Sequence, residues 1–272
     1  MKLSIITVNR NNAEGLKKTI ESVITQTYTD YEYIIIDGAS TDGSVDIIKH
    51  YENKINYWIS EPDTGVYNAM NKGILRARGD YINFMNSGDT FTSGILSEIH
   101  EQLDKDIICG NGLILFNNGS TKTHNSPSEN DLSMSHFFKS NPFPHQACFV
   151  KRELFTVEMF NEGNKVYSDL EFFIKQIIFN NCSYKHINKI VTINEEYGIS
   201  AATGTSNRIE REKILENCLL PRIKKDYESL NKYKEYPSFD YIVSKPNSYK
   251  FDRIILFLSK FYFSIYCFIK KK

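Results

Sequence analysis

The sequence predicts an α/β fold with a mainly parallel central sheet flanked by helices. Two observations lead to this prediction: short apolar runs rich in β-branched and aromatic residues recur in the first half of the chain, and segments with helical spacing of apolar residues separate them. Strands that alternate with helices form right-handed units in which consecutive strands run parallel. Because ligands bind beyond the carboxyl ends of such strands, the residues that follow each run are candidates for a functional site.

The elements of the first half follow from their spacing. Strands are predicted at residues 3–8, 33–36, 55–59, 81–85 and 107–109. Apolar residues in helical register predict two helices between them, one marked by Leu16, Ile20, Val23 and Ile24 and the other by Val66, Met70 and Ile74. The polar, turn-rich sequence after residue 112 predicts a loop or an irregular hairpin.

The second half adds a strand and two helices. The strand is predicted at residues 147–150, and a helix is expected to begin at Ser168, which forms the S-x-x-E pattern of a capping box with Glu171. Residues 208–227 predict a charged helix that Pro221 ends or kinks. We therefore expect one α/β domain over residues 1–205 and a helical C-terminal extension over residues 206–272.

The composition indicates a globular chain with a buried core. Of the 272 residues, 41% are hydrophobic, and 33 Lys and Arg balance 33 Asp and Glu. This zero net charge argues against nucleic acid as a partner, although local basic patches stay possible. The five cysteines are odd in number and scattered, with no CxxC pair, so a zinc or redox site is not indicated and a reducing cytosol is favoured.

The two ends of the sequence bear on location. The first residues, MKLSIITVNRNN, lack the apolar core of a signal peptide, so we expect a cytoplasmic protein. Residues 254–269 are mostly apolar and are followed by three lysines. As a helix, this segment could contact the inner face of the cell membrane peripherally, pack on the domain or bind a partner.

Polar residues follow the first two predicted strands. Thr7 and Asn9 end the first strand, and Asp37 ends the second, directly before a turn that contains Gly38 and Gly43. A carboxylate at a strand end can accept the imide N–H of uracil or the hydroxyl groups of a ribose. The alternative is an ordinary Asp-Gly turn that caps the next helix.

The fourth predicted strand runs into a second polar turn. It is followed by Asn86, Ser87, Gly88 and Asp89. Short oxygen-bearing side chains suit Mg²⁺ or Mn²⁺ that also takes oxygens from a substrate diphosphate. Since Asp89 is the one charged residue of this turn, and since such a composition is common in turns, the motif alone is not specific.

In combination, these segments resemble one family. The order TVNRN, then QTYTDYEYIIIDGASTDGS, then EPDTGVYNAMNKGILRARGDYINFMNSGD resembles the nucleotide-sugar half of the inverting family-2 glycosyltransferases, which have the GT-A fold. The resemblance is close over residues 2–92 and looser to residue 200. The variants EPDTGVYNAMNKG and FMNSGD are most similar to bacterial transferases that build exopolysaccharide, capsule or O-antigen repeat units.

This resemblance implies a donor site. It implies that Thr7, Asn9 and Asp37 hold the base and ribose of a nucleotide sugar, and that Asp63 faces this donor from a loop. Lys72, on the helix after the third strand, could reach the donor diphosphate. UDP is the expected nucleotide, and GDP and dTDP are the alternatives.

It also implies a metal site, from which this sequence departs. The family's two aspartates separated by one residue fall on Asn86, Ser87 and Gly88, followed by Asp89. Mg²⁺ or Mn²⁺ would therefore be held by Asp89 together with the diphosphate, beside Asn86 and Ser87, and metal binding without nucleotide should be weak.

On the acceptor side, the resemblance implies a base. Asp169 matches the carboxylate that removes the acceptor's proton, and His145 matches a histidine near donor and acceptor. The alternatives are an acid that stabilises the first turn of a helix and a histidine that serves a local turn. The implied activity is transfer of a hexosyl or N-acetylhexosaminyl group, with inversion, to a glycan or lipid-linked acceptor.

Two other functions stay open. A sugar-phosphate nucleotidyltransferase should carry a glycine-rich, basic loop after the first strand, and TVNRNNAEG lacks one. A degenerate sugar-binding or scaffolding subunit is conceivable because Asn86 and Gly88 depart from the metal motif.

Overall fold

The computed structural model describes residues 2–195 and 205–226. The C-terminal apolar segment at residues 254–269, for which a membrane contact was one prediction, lies outside the described residues. Within the described ranges, no helix has the length and apolar character needed to cross a membrane.

The described strands form one mixed sheet in the order β3-β2-β1-β4-β8-β6-β9-β5, with β7 paired to β6. The strands are β1 (Leu3–Asn9), β2 (Tyr31–Asp37), β3 (Tyr57–Ser60), β4 (Tyr81–Phe84), β5 (Thr90–Phe91), β6 (Ile107–Leu115), β7 (Thr121–His124), β8 (Cys148–Lys151) and β9 (Tyr184–Glu195). The first four strands pair in parallel. The other described strand pairs are antiparallel, except for β6 and β9, which pair in parallel.

Helices cover both faces of the parallel strands. They are α1 (Ala13–Ile24), α2 (Ser44–His50), α3 (Val66–Arg76), α4 (Ile95–Ile99), α5 (Met134–Lys139), α6 (Arg152–Val157), α7 (Ser168–Phe173) and α8 (Thr205–Cys218), and α7 continues as a π-helix at Ile174–Phe179. The predicted α/β class, with a sheet flanked by helices, is confirmed.

Burial explains why the parallel strands are continuous apolar runs. One core joins Ile5 and Ile35 of the sheet to Leu16 and Ile20 of α1, all of them without exposed surface. On the opposite face, α3 approaches β1 closely, since a side chain at Gly73 would meet Ile6 at 2.5 Å. Strands buried on both faces cannot alternate between polar and apolar residues.

Two predictions need correction. The capping box at Ser168 is wrong: Tyr167 is the N-cap and makes no side-chain cap, while the Ser168 hydroxyl accepts the Asn161 backbone N–H at 2.6 Å. The strand predicted at residues 107–109 is longer and runs to Leu115. Its extension pairs with β7, so the region after residue 112 is a hairpin.

The cysteine count did not predict the disulfide in the structure. Cys109 of β6 and Cys148 of β8 lie opposite each other on antiparallel strands and are bonded. A cross-strand register is not visible as a sequence spacing, so this pair could not be recognised from CxxC patterns. The cytosolic location stays a prediction.

Backbone contacts group residues 1–218 into one compact unit, and the described residues 219–226 belong to a second. Helix α8 is part of the first unit. The boundary expected near residue 205 stays a prediction.

Candidate active site

Asp37 lies at the carboxyl end of β2 with its carboxylate fully buried. One oxygen accepts from Asn9 Nδ2 at 2.7 Å and Ser40 Oγ at 2.6 Å, and the other accepts from the Ser40 backbone N–H at 2.9 Å and Ser60 Oγ at 2.6 Å. Each oxygen thus has two donors within the protein. A base or ribose could contact Asp37 only after one of these donors moves, so its predicted direct contact stays a prediction.

The two candidate residues of β1 have different surroundings. Thr7 is fully buried, donates to the Met85 carbonyl at 2.7 Å and hydrogen bonds to Tyr33 Oη at 2.9 Å, so it ties β1 to β2 and to the residue after β4. Asn9 Oδ1, in contrast, is buried and accepts no hydrogen bond in the described chain. Because a buried acceptor without a partner is costly, this atom suits a ligand N–H or O–H.

The loop after β1 brings three strand ends together. Asn11 contacts the turn after β2, since its N–H donates to Ser40 Oγ at 2.8 Å. Asn12 contacts the turn after β4, since its Nδ2 donates to the Ser87 carbonyl at 3.1 Å. Asp37 and the Asn86–Asp89 turn are therefore at the same edge of the sheet.

The loop after β3 borders the same edge. The Asp63 side chain is 5% exposed, accepts the Gly65 N–H at 3.0 Å and lies 3.8 Å from Arg10 Nη1. Gly38 packs directly on the Asp63 carboxylate, leaving no room for a Cβ. Lys72 braces this loop, because its Nζ contacts Glu61 Oε1 at 2.7 Å and the Pro62 carbonyl at 2.9 Å. Its predicted reach to a diphosphate would require it to leave Glu61.

Asp89 is held by two amide side chains. Gln146 Nε2 donates to one carboxylate oxygen at 2.8 Å, and Asn194 Nδ2 donates to the other at 2.6 Å. No three His, Cys, Asp or Glu side chains of the described ranges come together as a metal site. The expectation that a metal ion at Asp89 shares its ligands with the substrate diphosphate stays a prediction.

The structure nevertheless fits such a shared metal site. Asn86 Oδ1 is buried and has no hydrogen-bond partner in the described chain. Asp89, which the same turn places beside it, adds a carboxylate, the other oxygen donor of this turn that suits a cation. Oxygen donors of this kind are those that Mg²⁺ and Mn²⁺ prefer.

Asp169 is the second residue of α7 and is 4% exposed. Its Oδ1 accepts from Tyr67 Oη at 2.9 Å, and its Oδ2 accepts from Asn141 Nδ2 at 3.3 Å. His145 Nδ1 lies 3.5 Å from the same Oδ2. Burial raises the pKa of the Tyr67 phenol well above its ordinary value, and the negative charge of Asp169 adds to this effect.

The short helical turn His145–Ala147 joins the predicted base to the polar turn after β4. Asn86 Nδ2 contacts His145 Nε2 at 3.2 Å, and Gln146 contacts Asp89. When the Asn86 amide donates to Nε2, the proton of the neutral imidazole is on Nδ1, which faces Asp169. His145 therefore lies between Asp169 and the candidate metal turn.

Helix α8 fixes the segment that precedes Asp169. The carboxylate of Glu210 accepts the backbone N–H groups of Lys165, Val166 and Tyr167, at distances of 2.9, 2.9 and 2.8 Å. Three charge-assisted hydrogen bonds to consecutive amides hold this chain segment firmly.

Five residues of this network were not among the predicted site residues: Tyr67, Asn141, Gln146, Asn194 and Glu210. Tyr67 lies inside the EPDTGVYNAMNKG motif and Gln146 follows His145, so their positions offered a signal. Asn194 and Glu210 offered none, because each is distant in sequence from the residue that it contacts.

Comparison with known proteins connects this geometry to a family. The model of Glycosyl transferase family 2 matches residues 4–157, which is more than half of the chain. Two Mycobacterium tuberculosis proteins named uncharacterized glycosyltransferases are 44% identical over 91 residues, covering 33% of this chain and 35% of theirs. The chain thus spans about a third of the length of these relatives. A Borreliella burgdorferi protein named cholesterol galactosyltransferase is 25% identical over 268 residues, covering 89% of this chain and 74% of that protein.

Solved structures show the same fold. Staphylococcus aureus TarS 1-349 in complex with UDP-GlcNAc has a TM-score of 0.64 at 17% identity, covering 79% of this chain and 65% of that one. The mannosyltransferase PcManGT from Pyrobaculum calidifontis, in complex with GDP-Man and Mn²⁺, has a TM-score of 0.55 at 15% identity, covering 79% of this chain and 61% of that one.

Proposed function

Because the chain belongs to glycosyl transferase family 2 and has its GT-A fold, we propose that it transfers a sugar, with inversion, from a UDP-sugar to a hydroxyl group of a glycan or lipid-linked acceptor. The observation that carries this proposal is the placement of Asp169. Its buried carboxylate lies beside His145, which in turn contacts the Asn86–Asp89 turn where β4 ends.

The proposed reaction is a single displacement at the anomeric carbon. The acceptor hydroxyl oxygen forms a bond to this carbon while Asp169 takes the hydroxyl proton. The bond between the anomeric carbon and the diphosphate oxygen breaks, and its electron pair leaves with the nucleoside diphosphate. Proton removal by a positioned base contributes a rate factor of about 10² to 10⁴.

Donor binding is assigned to the edge formed by the ends of β1, β2 and β3. Asn9 Oδ1 supports this assignment, since it is a buried acceptor that still needs a donor. Arg10, whose side chain is 65% exposed beside Asp63, can reach a phosphate from this edge. Structural relatives in complexes with UDP-GlcNAc or GDP-Man agree with a nucleotide-sugar donor.

Mn²⁺ or Mg²⁺ is proposed as the cofactor, held by Asp89 and by Asn86 Oδ1. When bound, the ion would neutralise charge on the departing diphosphate. The other roles belong to this chain's own residues: Gln146 and Asn194 orient Asp89, and His145, in the tautomer with its proton on Nδ1, directs this N–H toward Asp169. The complex of PcManGT with Mn²⁺ supports a metal in this fold.

A lipid-linked or glycan acceptor and a role in surface polysaccharide assembly are also proposed. The relative named cholesterol galactosyltransferase supports an acceptor that is part of a lipid. A cytoplasmic enzyme that touches the inner face of the membrane through residues 254–269 would meet such an acceptor.

The proposal is tested with the full chain and a panel of UDP- and GDP-sugars in the presence of Mn²⁺. Release of the nucleoside diphosphate is followed with each donor, and thermal shift measures binding, since a ligand at 100 times its dissociation constant adds about 2.7 kcal/mol of stability. We expect UDP release and stabilisation by one UDP-sugar. Pyrophosphate release would indicate a nucleotidyltransferase, and absence of both release and UDP binding would indicate a scaffold; either result contradicts the proposal.

A further inference from the structure

We propose that Tyr67 is a positioning residue that supports Asp169 both before and after the carboxylate takes the acceptor's proton. The inference rests on the proposed function, since it assigns a role toward the base of that reaction. It is carried by one buried hydroxyl that lies within hydrogen-bond distance of two acceptors on α7 and the segment before it.

The two contacts are short. Tyr67 Oη lies 2.9 Å from Asp169 Oδ1 and 2.6 Å from the Val166 carbonyl oxygen. A phenol carries a single O–H, so it can donate to only one of these oxygens at a time. The position of this proton must therefore depend on the charge of Asp169.

When Asp169 is ionised, the favourable arrangement has the phenol donating to Oδ1, because hydrogen bonds to a charged acceptor are about twice as strong as neutral ones. When Asp169 has taken a proton on Oδ1, its new O–H can donate to Tyr67 Oη. The phenol proton then turns to the Val166 carbonyl, which lies ready at 2.6 Å. The Asp169 carboxyl and the phenol hydroxyl are thus hydrogen bonded to each other in both states, and Tyr67 itself neither gains nor loses a proton.

Packing keeps the hydroxyl in this position. Tyr67 is 5% exposed, and its ring packs on Phe160 with the centroids 5.4 Å apart. Phe160 in turn packs on Phe84, Phe155 and Phe172. At the other end of the contact, Glu210 holds the backbone N–H of Val166 at 2.9 Å. A hydroxyl fixed between two rigid segments does not need to be ordered during the reaction.

The charged and titratable groups around Asp169 come from several elements. His145 faces Oδ2, and Tyr67 faces Oδ1 from α3. His124 of β7 contacts the Asn141 carbonyl at 3.1 Å, and burial lowers its pKa. Helix α8 contributes Glu210 on the preceding backbone and Arg211, which donates to the Phe137 carbonyl. A pH effect of Tyr67 must be separated from these groups.

The test compares Tyr67→Phe with a matched control, Tyr184→Phe. Tyr184 is also a largely buried tyrosine, and its hydroxyl donates to a backbone carbonyl, that of Pro127 at 2.8 Å. Glu129 is near enough for its charge to raise the pKa of this phenol, but in the described chain no hydrogen bond joins the Tyr184 hydroxyl to a carboxylate. Turnover is followed as UDP release from the best UDP-sugar, with water as the acceptor, across the pH range in which the proteins stay folded. Thermal unfolding and UDP affinity are measured on the same samples.

For Tyr67→Phe we expect kcat to fall roughly tenfold to a hundredfold, because a hydrogen bond to a charged group is lost. The donor KM should stay within about twofold, since donor contacts are intact. The acidic limb of the rate profile should move to higher pH by about one unit, because a donor that favours the ionised base is removed. Tyr184→Phe should leave the rate and profile unchanged.

A second variant covers the case in which Tyr67→Phe does not fold. Replacing Tyr67 by 3,5-difluorotyrosine keeps the ring and makes the hydroxyl a stronger donor, so the acidic limb should move to lower pH. An unchanged limb in the folded variant overturns the inference. If Asp169→Asn is inactive while Tyr67→Phe matches the wild type, only the role of Tyr67 fails; if Asp169→Asn keeps full activity, the proposed mechanism itself fails.

Discussion

Two aspartates at opposite edges of the sheet show how surroundings decide the use of a carboxylate. Asp106, at the edge where β4 and β6 begin, is bound by Lys151 Nζ at 2.8 Å and by the N–H and hydroxyl of Ser183 at 2.8 and 2.6 Å. Burial alone would raise the pKa of Asp106, but these hydrogen bonds and the lysine charge lower it to about 2. Asp106 is therefore a fixed negative charge.

Asp169, in the candidate active site, has no Lys or Arg partner within residues 2–195 and 205–226. Its contacts are a phenol, an amide and an imidazole. Asp106 is thus fixed by a lysine ion pair, whereas Asp169 is oriented by a phenol, an amide and an imidazole.

The largest effect is expected for Asp169→Asn. Transfer should fall by about 10² to 10⁴, because the amide cannot accept the acceptor's proton. The melting temperature should change little, since the amide keeps the size of the side chain. Rates of UDP release and thermal unfolding check this; a drop in the melting temperature that parallels the loss of rate would make Asp169 a second structural acid, like Asp106.

Asp106→Asn should show the opposite pattern. Loss of the charge weakens the contacts to Lys151 and Ser183, and we expect the free energy of unfolding to fall by about 1 to 3 kcal/mol. The rate per folded molecule should stay near that of the wild type. Denaturant unfolding and the UDP-release assay measure the two quantities. A large loss of rate in stably folded Asp106→Asn would contradict the proposed difference between Asp106 and Asp169.

Two glycines allow the same two edges to be compared through backbone contacts. In Gly38→Ala the new methyl group meets the Asp63 carboxylate, so the donor KM should rise severalfold. Gly79 lies at the edge where β1 and β4 begin. In Gly79→Ala the new methyl group meets the backbone of Leu3 and Ser4 at 2.6 Å, so the free energy of unfolding should fall and the donor KM should not change. Donor titrations and unfolding curves of both variants test this. A raised donor KM in folded Gly79→Ala would contradict it.

The smallest effect concerns acid stability. Because the pKa of Asp106 is about 2 in the folded protein, lowered from an ordinary value of 3.8, its stabilisation is fully present above the unfolded value and is lost as the pH falls toward 2. The difference in unfolding free energy between wild type and Asp106→Asn should therefore be constant near neutral pH and shrink below about pH 4. Denaturant unfolding of both proteins at several pH values would measure this difference. A difference in unfolding free energy that grows as the pH falls would contradict the prediction.

The sequence predicted the parallel part of the fold because those strands are local, continuous apolar runs. It also predicted site roles for Asp37, Asp89 and Asp169; these roles stay predictions, while the structure places the three residues at strand ends or at the start of a helix along one edge. It did not predict that Asp37 has four internal donors, because hydroxyl groups such as those of Ser40 and Ser60 have no pattern of their own.

The remaining site contacts depend on tertiary folding. His145 and Gln146 meet the turn after β4 only because β8 runs antiparallel to β4. Asn194 reaches Asp89 through β9, which pairs with β5 across more than a hundred residues. Such contacts follow from strand order and register, which cannot be read from the residue pattern of a single sequence.

Whether Asp169 acts as the base at the donor site is decided most directly by measuring UDP affinity and transfer rate on one preparation of Asp169→Asn. We expect an affinity within about twofold of the wild type and a rate reduced by at least about a hundredfold. An affinity and a rate that fall together, or a rate that does not fall, would contradict the role of Asp169 as the base.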